Sequence, residues 1–169
     1  MGKLTKIVYE KLKESFGEAV RKEHPLLPKN KGVSFKADVS VRRGENDFIF
    51  VEIEEGQPHP DTNVGKYWMY LRENPATKAT LVQILGKEFS VTTNNYKSRV
   101  DLAEFIAQKI KKEYPRFEYH AKKLNRLPQE YEIKLEEIAE EVISYIRGIA
   151  TADRQERGWV SRGNRAAAR

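Results

Sequence analysis

Residues 36–54 read KADVSVRRGENDFIFVEIE, two runs of alternating apolar and polar residues on either side of a polar centre. Such alternation is typical of half-buried β-strands, because successive side chains point to opposite faces of a sheet. The first run starts upstream at Val33, and the centre, residues 43–47, contains a glycine and an asparagine that suit a turn. The two runs therefore predict an antiparallel hairpin with a five-residue loop.

The register of this hairpin follows from its apolar pattern, since a slip of one residue would set apolar side chains opposite polar ones. The favoured register brings two carboxylates, Asp38 and Glu52, directly across from each other. Facing carboxylates repel by about 0.2–1 kcal/mol, and by more where water is excluded, so we expect a divalent cation to compensate. The expected pairs are Val41 with Ile49, Val39 with Val51, Ala37 with Ile53, Asp38 with Glu52 and Lys36 with Glu54.

The composition of the 169-residue chain favours a single domain and excludes several kinds of site. The absence of cysteine excludes disulfides, thiolate nucleophiles and cysteine zinc sites, and three scattered histidines argue against a histidine metal centre. No apolar run approaches the roughly 20 residues of a membrane span, and the N-terminus lacks the apolar core of a signal peptide. We expect a cytoplasmic protein that does not associate with membranes.

The net charge of +6 conceals a strong asymmetry along the chain. Residues 45–61 contain six acidic residues and no Lys or Arg, so the rest of the chain carries +12. A basic body around an acidic pocket suits a polyanion held by the body and a cation held in the pocket. A Lys- and Glu-rich surface of the kind found in heat-adapted proteins would give the same overall charge.

Periodicity predicts further elements on both sides of the hairpin. An amphipathic helix is expected over residues 4–22, and a second helix over 64–73, where an Asn-Pro pair ends it. The run 78–85 predicts a buried strand, 89–93 a further strand and 101–114 a helix. This order indicates an α/β fold in which helices flank a mixed sheet.

The C-terminal region divides into a helix and a tail. After a core of residues 1–125, the segment 126–150 carries apolar residues at four-three spacing, which predicts an amphipathic helix. Two interpretations stay open: the helix packs on its own domain, or it forms the seam of a homodimer. Residues 151–169 are rich in arginine and aperiodic, which favours a flexible tail, either simply solvated or acting as a basic arm for nucleic acid.

The predicted elements form a recognisable order: an N-terminal helix, a hairpin, a further helix and a buried strand. In the hairpin, thirteen residues separate Asp38 from the Glu52-x-Glu54 motif. This order resembles the PD-(D/E)xK nuclease superfamily, which includes restriction endonucleases, Holliday-junction resolvases and RecB-like nucleases. The resemblance covers residues 4–86 and implies a restriction-endonuclease-like fold that hydrolyses phosphodiester bonds, most readily in DNA. It also implies that Asp38 and Glu52 bind Mg²⁺ or Mn²⁺, with the backbone carbonyl of Ile53 as a third ligand.

Two positions depart from the superfamily motif. Ala37 replaces its proline, and Glu54 replaces the lysine that orients or activates the attacking water. Some restriction endonucleases carry Glu-x-Glu there and remain active, and in that variant Glu54 would act as general base or bind a second metal. If a lysine is required, Lys36 and Lys66 are the two candidates.

The resemblance also suggests contacts to nucleic acid. RecB-like nucleases often carry Gln-x-x-x-Tyr on the helix after this strand, and Lys66-x-x-x-Tyr70 has similar spacing. Lys66 and Tyr70 would share the outer helix face, one turn apart, although an ordinary solvated face gives the same pattern. Arg42 and Arg43 are further candidates for phosphate contacts. The helix stripe expected to face the core consists of Val64, Tyr67, Trp68 and Leu71.

The function expected from the sequence is thus a Mg²⁺-dependent nuclease. Two alternatives remain: a nucleic-acid-binding module on a nuclease fold that does not cut, and a structural or interaction protein that assembles through the C-terminal helix. A structural interpretation of Glu52 and Glu54 also stays open: they would lie on a solvent-facing polar strand side, with Lys36 and Glu54 forming a surface ion pair worth less than about 1 kcal/mol.

Overall fold

A computed structural model of the protein describes residues 2–27, 35–54, 59–86, 95–124 and 134–152. It confirms the expected α/β fold, in which helices flank a mixed sheet and a further helix follows near the C-terminus. The strands are β1 (Val20–Pro25), β2 (Lys36–Gly44), β3 (Asp47–Glu54), β4 (Lys78–Leu85) and β5 (Phe117–Lys123). The helices are α1 (Lys3–Phe16), α2 (Pro60–Glu73), α3 (Asn95–Glu113) and α4, which is helical over residues 134–152.

The five strands follow chain order across the sheet. β1, β2 and β3 pair antiparallel, whereas β3, β4 and β5 pair parallel. Parallel neighbours require a crossover, which α2 provides between β3 and β4 and α3 provides between β4 and β5. One end of the sheet therefore holds the carboxyl ends of β3 and β4, the start of β2 and the start of α2.

The helices cover the sheet in two layers. α1 and α4 pack on one face and α2 and α3 on the other, each over its own apolar cluster. The stripe of α4 lies inside the first cluster, so the C-terminal helix packs on its own domain and its apolar face is covered. In the described residues, no helix has the length and apolar character needed to cross a membrane. The α4 side chains in the cluster are Ile138, Ala139, Val142, Ile143, Ile146 and Ala150.

The hairpin has the predicted register but a shorter loop. Val39 pairs with Val51 and Val41 with Ile49, as expected. The strands continue to Gly44 and Asp47, however, and a register shift between Arg42 and Gly44 marks a β-bulge. The bulge adds one extra residue to β2. Val39 and Val41 therefore keep their predicted partners, although the observed turn is shorter than the predicted five-residue loop.

The other expected boundaries shift by several residues. The first helix ends at Phe16 rather than at residue 22, because Gly17 adopts a positive φ of 59° and its N–H caps the carbonyl of Lys13. The chain then enters β1, which the sequence did not predict, and β5 was also missed. The strand predicted at 78–85 is confirmed, while that at 89–93 and the tail 153–169 lie outside the described residues.

His24 on β1 is a half-buried histidine packed among aromatic rings. Its Nδ1 lies 2.8 Å from Ser40 Oγ, and its ring meets Phe48 and Phe50 edge-on, both at 5.4 Å between centroids. Burial lowers the pKa of His24 from 6.5 to about 4, and the charge of Arg21 acts in the same direction. The imidazole is therefore neutral in the folded protein over most of the acidic range.

We expect this histidine to reduce stability as the pH falls from about 6.5 to about 4. In that range the unfolded chain binds a proton that the folded chain does not, so protonation favours unfolding. With allowance for partial solvent screening, the expected loss is about 1–2 kcal/mol. Urea unfolding at both ends of the range should show a shallower decline in His24→Phe than in the parent, and no such change in His59→Phe. Equal slopes in parent and His24→Phe would exclude His24 as the cause.

Candidate functional site

The candidate site is a cleft at the end of the sheet where β2 and α2 begin. Its volume is about 490 Å³. The carboxyl end of β3, which carries both glutamates of the Glu-x-Glu motif, lies behind it. The polar side chains that line the cleft come from β1, β2 and α2, and are Glu23, Lys36, Asp38, Thr62, Asn63 and Lys66.

Glu52 is the most deeply buried acid of the site, with 1% of its surface exposed. Its Oε2 accepts a hydrogen bond from Lys66 Nζ at 2.9 Å, and its Oε1 accepts one from the Tyr67 hydroxyl. Burial raises the pKa of Glu52 to about 8; the charge of Lys66 opposes the rise and the charge of Asp38 adds to it. Burial also holds the pKa of Tyr67 well above its usual value, so this phenol remains a donor.

Lys66 lies inside the protein rather than on a solvated helix face. Its Nζ also donates to the backbone carbonyl of Lys36 at 2.7 Å. The predicted outer face was therefore wrong: Lys66 and Tyr70 are buried, whereas Trp68 is 37% exposed and its indole N–H bonds Glu113. The carboxylate and the carbonyl that accept from Lys66 explain why an ammonium is tolerated there.

Lys36 does not pair with Glu54 as predicted. Its ammonium instead bonds Glu23 Oε2 at 3.1 Å, in an exposed pair. The regular pairing of β2 with β3 ends at Val39 and Val51, and beyond it Asp38 Oδ2 accepts the backbone N–H of Ile53 at 2.9 Å. The irregularity also turns Ala37 toward the α2 and α3 layer, away from the face that Val39 and Val41 share. The backbone of Ile53 thus holds Asp38; metal ligation by its carbonyl stays a prediction.

Glu54 is a buried acid whose carboxylate is only half satisfied. Oε1 accepts from Asn63 Nδ2 at 2.8 Å and from Gln83 Nε2 at 2.7 Å, whereas Oε2 is buried and has no hydrogen-bond partner among the described residues. Burial raises the pKa of Glu54, against the lowering effect of the two amide donors. The solvated acidic strand face was therefore the wrong interpretation for both glutamates.

Gln83 and Glu23 are site residues that the sequence analysis did not identify. Gln83, fully buried on β4, donates to Glu54 and to the Pro60 carbonyl at 2.9 Å, and its Oε1 accepts from the Tyr119 hydroxyl at 2.8 Å. A lone amide within an apolar strand was the signal that could have found it. Glu23 had no such signal, because β1 itself was not predicted.

Glu23 stands out for its backbone conformation. Its φ is 47°, a value that costs a non-glycine residue roughly 1–2 kcal/mol. The residues on either side pair with Val39 and Ala37, which places Glu23 directly across from Asp38. A strained residue held in place by regular pairing on both sides is characteristic of functional positions.

Three of the predicted nucleic-acid contacts do not reach the cleft. Arg42 and Arg43 lie at the turn end of the hairpin, about 13 Å and about 17 Å from Asp38 at about 3.3 Å per residue. Arg43 is engaged there with Asp47 Oδ1 at 2.7 Å and Thr80 Oγ1 at 3.1 Å. Tyr70 packs edge-on against the ring of Phe50, with 5.4 Å between centroids.

The charges of the site favour a divalent cation. The negative charge of Asp38 acts on both Glu52 and Glu54 and raises their pKa values. The positive charge of Lys66 acts on the same two glutamates in the opposite direction. When all three carboxyls are ionised, as a bound cation would favour, they and the one ammonium carry a formal charge of −2, and the unpartnered oxygen of Glu54 is an acceptor of the kind that Mg²⁺ prefers. As the side chains stand, no three His, Asp or Glu residues of the described chain are grouped to hold an ion. Binding would thus require Glu52 or Glu54 to rotate from its present partners.

Comparison of the chain with protein-family models, curated proteins and solved structures found no match.

Proposed function

We propose that the protein is a metal-dependent nuclease that hydrolyses phosphodiester bonds, most readily in DNA. The observation that carries the proposal is the buried contact of 2.9 Å between Lys66 Nζ and Glu52 Oε2, in the same cleft as Asp38. In the superfamily motif a lysine stands where this chain has Glu54, and Lys66 on α2 would take over the role of that lysine. Of the two lysines considered, only Lys66 contacts a motif carboxylate.

In this proposal Asp38 and Glu52 would hold Mg²⁺ or Mn²⁺, while Glu54 would act as the general base. The bound ion would polarise the scissile phosphate and lower the pKa of a water molecule. Lys66, anchored by the carbonyl of Lys36, would orient the attacking water or neutralise a phosphate oxygen. Lys36, exposed at the rim, can leave Glu23 for a flanking phosphate at little cost, since exposed ion pairs contribute under about 1 kcal/mol.

Glu54 suits the role of general base. Its raised pKa brings the carboxylate closer to neutral pH, where proton transfer is most effective. Asn63 and Gln83 both donate to Oε1, which fixes the orientation of the carboxylate and leaves Oε2 for a proton. In this assignment the residue at position 54 still activates water, but it does so with a carboxylate instead of the ammonium of the superfamily lysine.

A nucleic-acid-binding module that does not cut is the second candidate. It is favoured by Glu52, both of whose oxygens already accept hydrogen bonds from the protein. Assembly through the stripe of α4 no longer has support, because that stripe is covered by the protein's own core.

One pair of assays separates these functions. A nuclease should nick plasmid DNA in Mg²⁺ or Mn²⁺, stop in EDTA, and retard a DNA fragment in a gel when the metal is withheld. Retardation without nicking in any metal would replace the proposal with the binding module. A protein that neither nicks nor retards DNA or RNA would exclude both.

A further inference from the structure

β5 forms one edge of the sheet, and within the described residues it pairs only with β4. All seven of its residues keep an unbroken parallel register, from Phe117 opposite Ala79 to Lys123 opposite Leu85. The outer edge of such a strand presents a regular row of N–H and C=O groups, which is a template for pairing with another strand.

The opposite edge, β1, is built differently. Pro25 lacks an N–H group, and Glu23 has a positive φ that interrupts the extended backbone. Both features hinder the addition of a strand. β5 has neither a proline nor a residue with positive φ. The two edges therefore differ in their capacity to pair, and β5 is the receptive one.

The space beside β5 suits a neighbouring strand. One groove separates it from α4 and another from α3, with volumes of about 750 Å³ and 670 Å³. The five central side chains of the strand are only half-buried, although residues on β4 at the same level are fully buried. A strand added at this edge would complete their burial on both faces.

The charges along β5 are complementary to those of a second copy of the same strand. An antiparallel pair related by a two-fold axis at His120 sets Glu118 opposite Lys122, and does so twice because of the symmetry. The same register sets Tyr119 opposite Ala121 on the other face. A shift by two residues in either direction would bring Glu118 or Lys122 against His120 and lose both ion pairs. Registers shifted by one residue would mix the two faces.

The position of Lys122 is compatible with this pairing. Its Nζ lies 2.8 Å from Glu141 Oε1 on α4 and 5.7 Å from the centre of the Tyr145 ring. The ammonium is therefore held over the α4 side of β5, on the face where Glu118 of the second copy would arrive. Two carboxylates can share one lysine, which has three donors.

We propose that the protein forms a homodimer through β5, in which two copies pair antiparallel around His120 to make one continuous sheet. The surface differs from the stripe of α4, which the core covers. The proposal does not depend on the nuclease assignment.

The test is a charge reversal in the full-length chain, followed by sedimentation at increasing concentration. Glu118→Lys or Lys122→Glu alone sets like charges opposite each other at two positions, and each should weaken the dimer by about tenfold or more. The double variant E118K/K122E restores both pairs in reversed order and should recover the parent's dimerisation. Glu136→Lys, an equal change at an exposed site on α4, should leave it unaltered.

Three results would overturn the proposal: a parent that remains monomeric at every concentration, a dimer that neither single reversal weakens, or a double variant that does not recover. Circular dichroism and thermal unfolding of each variant separate a lost interface from a lost fold. Because recovery in the double variant requires a folded chain with reversed charges, misfolding of one single variant does not remove the test.

Discussion

Asp38→Asn and Glu52→Gln are each expected to lower the rate of metal-dependent DNA cleavage by at least about 10²-fold. In the proposed nuclease, loss of a metal-binding carboxylate removes several kcal/mol of transition-state stabilisation, and each 1.36 kcal/mol is a factor of ten in rate. Both amides keep the size of the acid, so the cleft is preserved. Initial rates of plasmid nicking over a range of Mg²⁺ concentrations are the measurement, with a gel shift to show that DNA binding persists.

Glu45→Gln is the matched control, since it makes the same chemical change in the exposed turn of the same hairpin. It should cleave like the parent. Asp38→Asn is the cleaner of the two site variants, because glutamine at position 52 can set an amide N–H against the donor Lys66. Parental rates in both site variants would end the assignment of these carboxylates to catalysis.

Lys66→Met is expected to cost about 3–5 kcal/mol of folding stability at alkaline pH, because it leaves the carboxyl of Glu52 without its buried charge partner. The cost should shrink in acid. Glu52 in the unfolded chain ionises above its ordinary pKa of 4.5, whereas burial keeps it protonated in the folded protein up to about 8. Stability therefore falls as the pH rises through this window, and removing Lys66 raises the folded pKa further, so the decline continues to higher pH.

Urea unfolding of parent and variant at about pH 5 and about pH 9 measures the difference. Lys36→Met provides the control: it removes an exposed ion pair with Glu23, worth under about 1 kcal/mol. In the double variant E52Q/K66M no carboxylate is left unpaired, so its loss should be smaller than the sum of the two single losses. If Lys66→Met matches the parent at high pH, the contact with Glu52 is not stabilising.

The central hairpin could be predicted because its burial is encoded residue by residue. The apolar residues Val39, Val41, Ile49 and Val51 recur at every second position and all lie in the core beneath α1 and α4, so their alternation fixes the register. The buried run of β4 was predictable for a related reason, since a strand covered on both faces by helices is nearly all apolar. That register also predicted that Asp38 and Glu52 lie near each other, and their charges do interact, although regular pairing ends at Val39 and Val51.

The edge strands could not be predicted in this way. Among the described residues β1 and β5 each pair with one neighbouring strand, and their sequences, VRKEHP and FEYHAKK, are polar enough to look like loop or helix. The face of α2 was mistaken for another reason. Tryptophan is usually more buried than lysine, but here the carboxylate of Glu52 and a backbone carbonyl satisfy Lys66, while Trp68 finds a hydrogen bond at the surface. The burial of Lys66 in place of Trp68 depends on hydrogen-bond acceptors from β2 and β3. The local sequence of α2 contains no information about these acceptors.

The two buried glutamates of β3 also bear on how the chain avoids aggregation while it is being made. β3 leaves the ribosome before β4, so for a time its apolar stretch DFIFVEIE has no partner on one side. In water Glu52 and Glu54 ionise above a pKa of about 4.5, and charges within such a stretch oppose its pairing with other chains. Their pKa values rise only when β4 and α2 enclose them. Acids that the proposed function places in the site would thus also protect the nascent chain from aggregation.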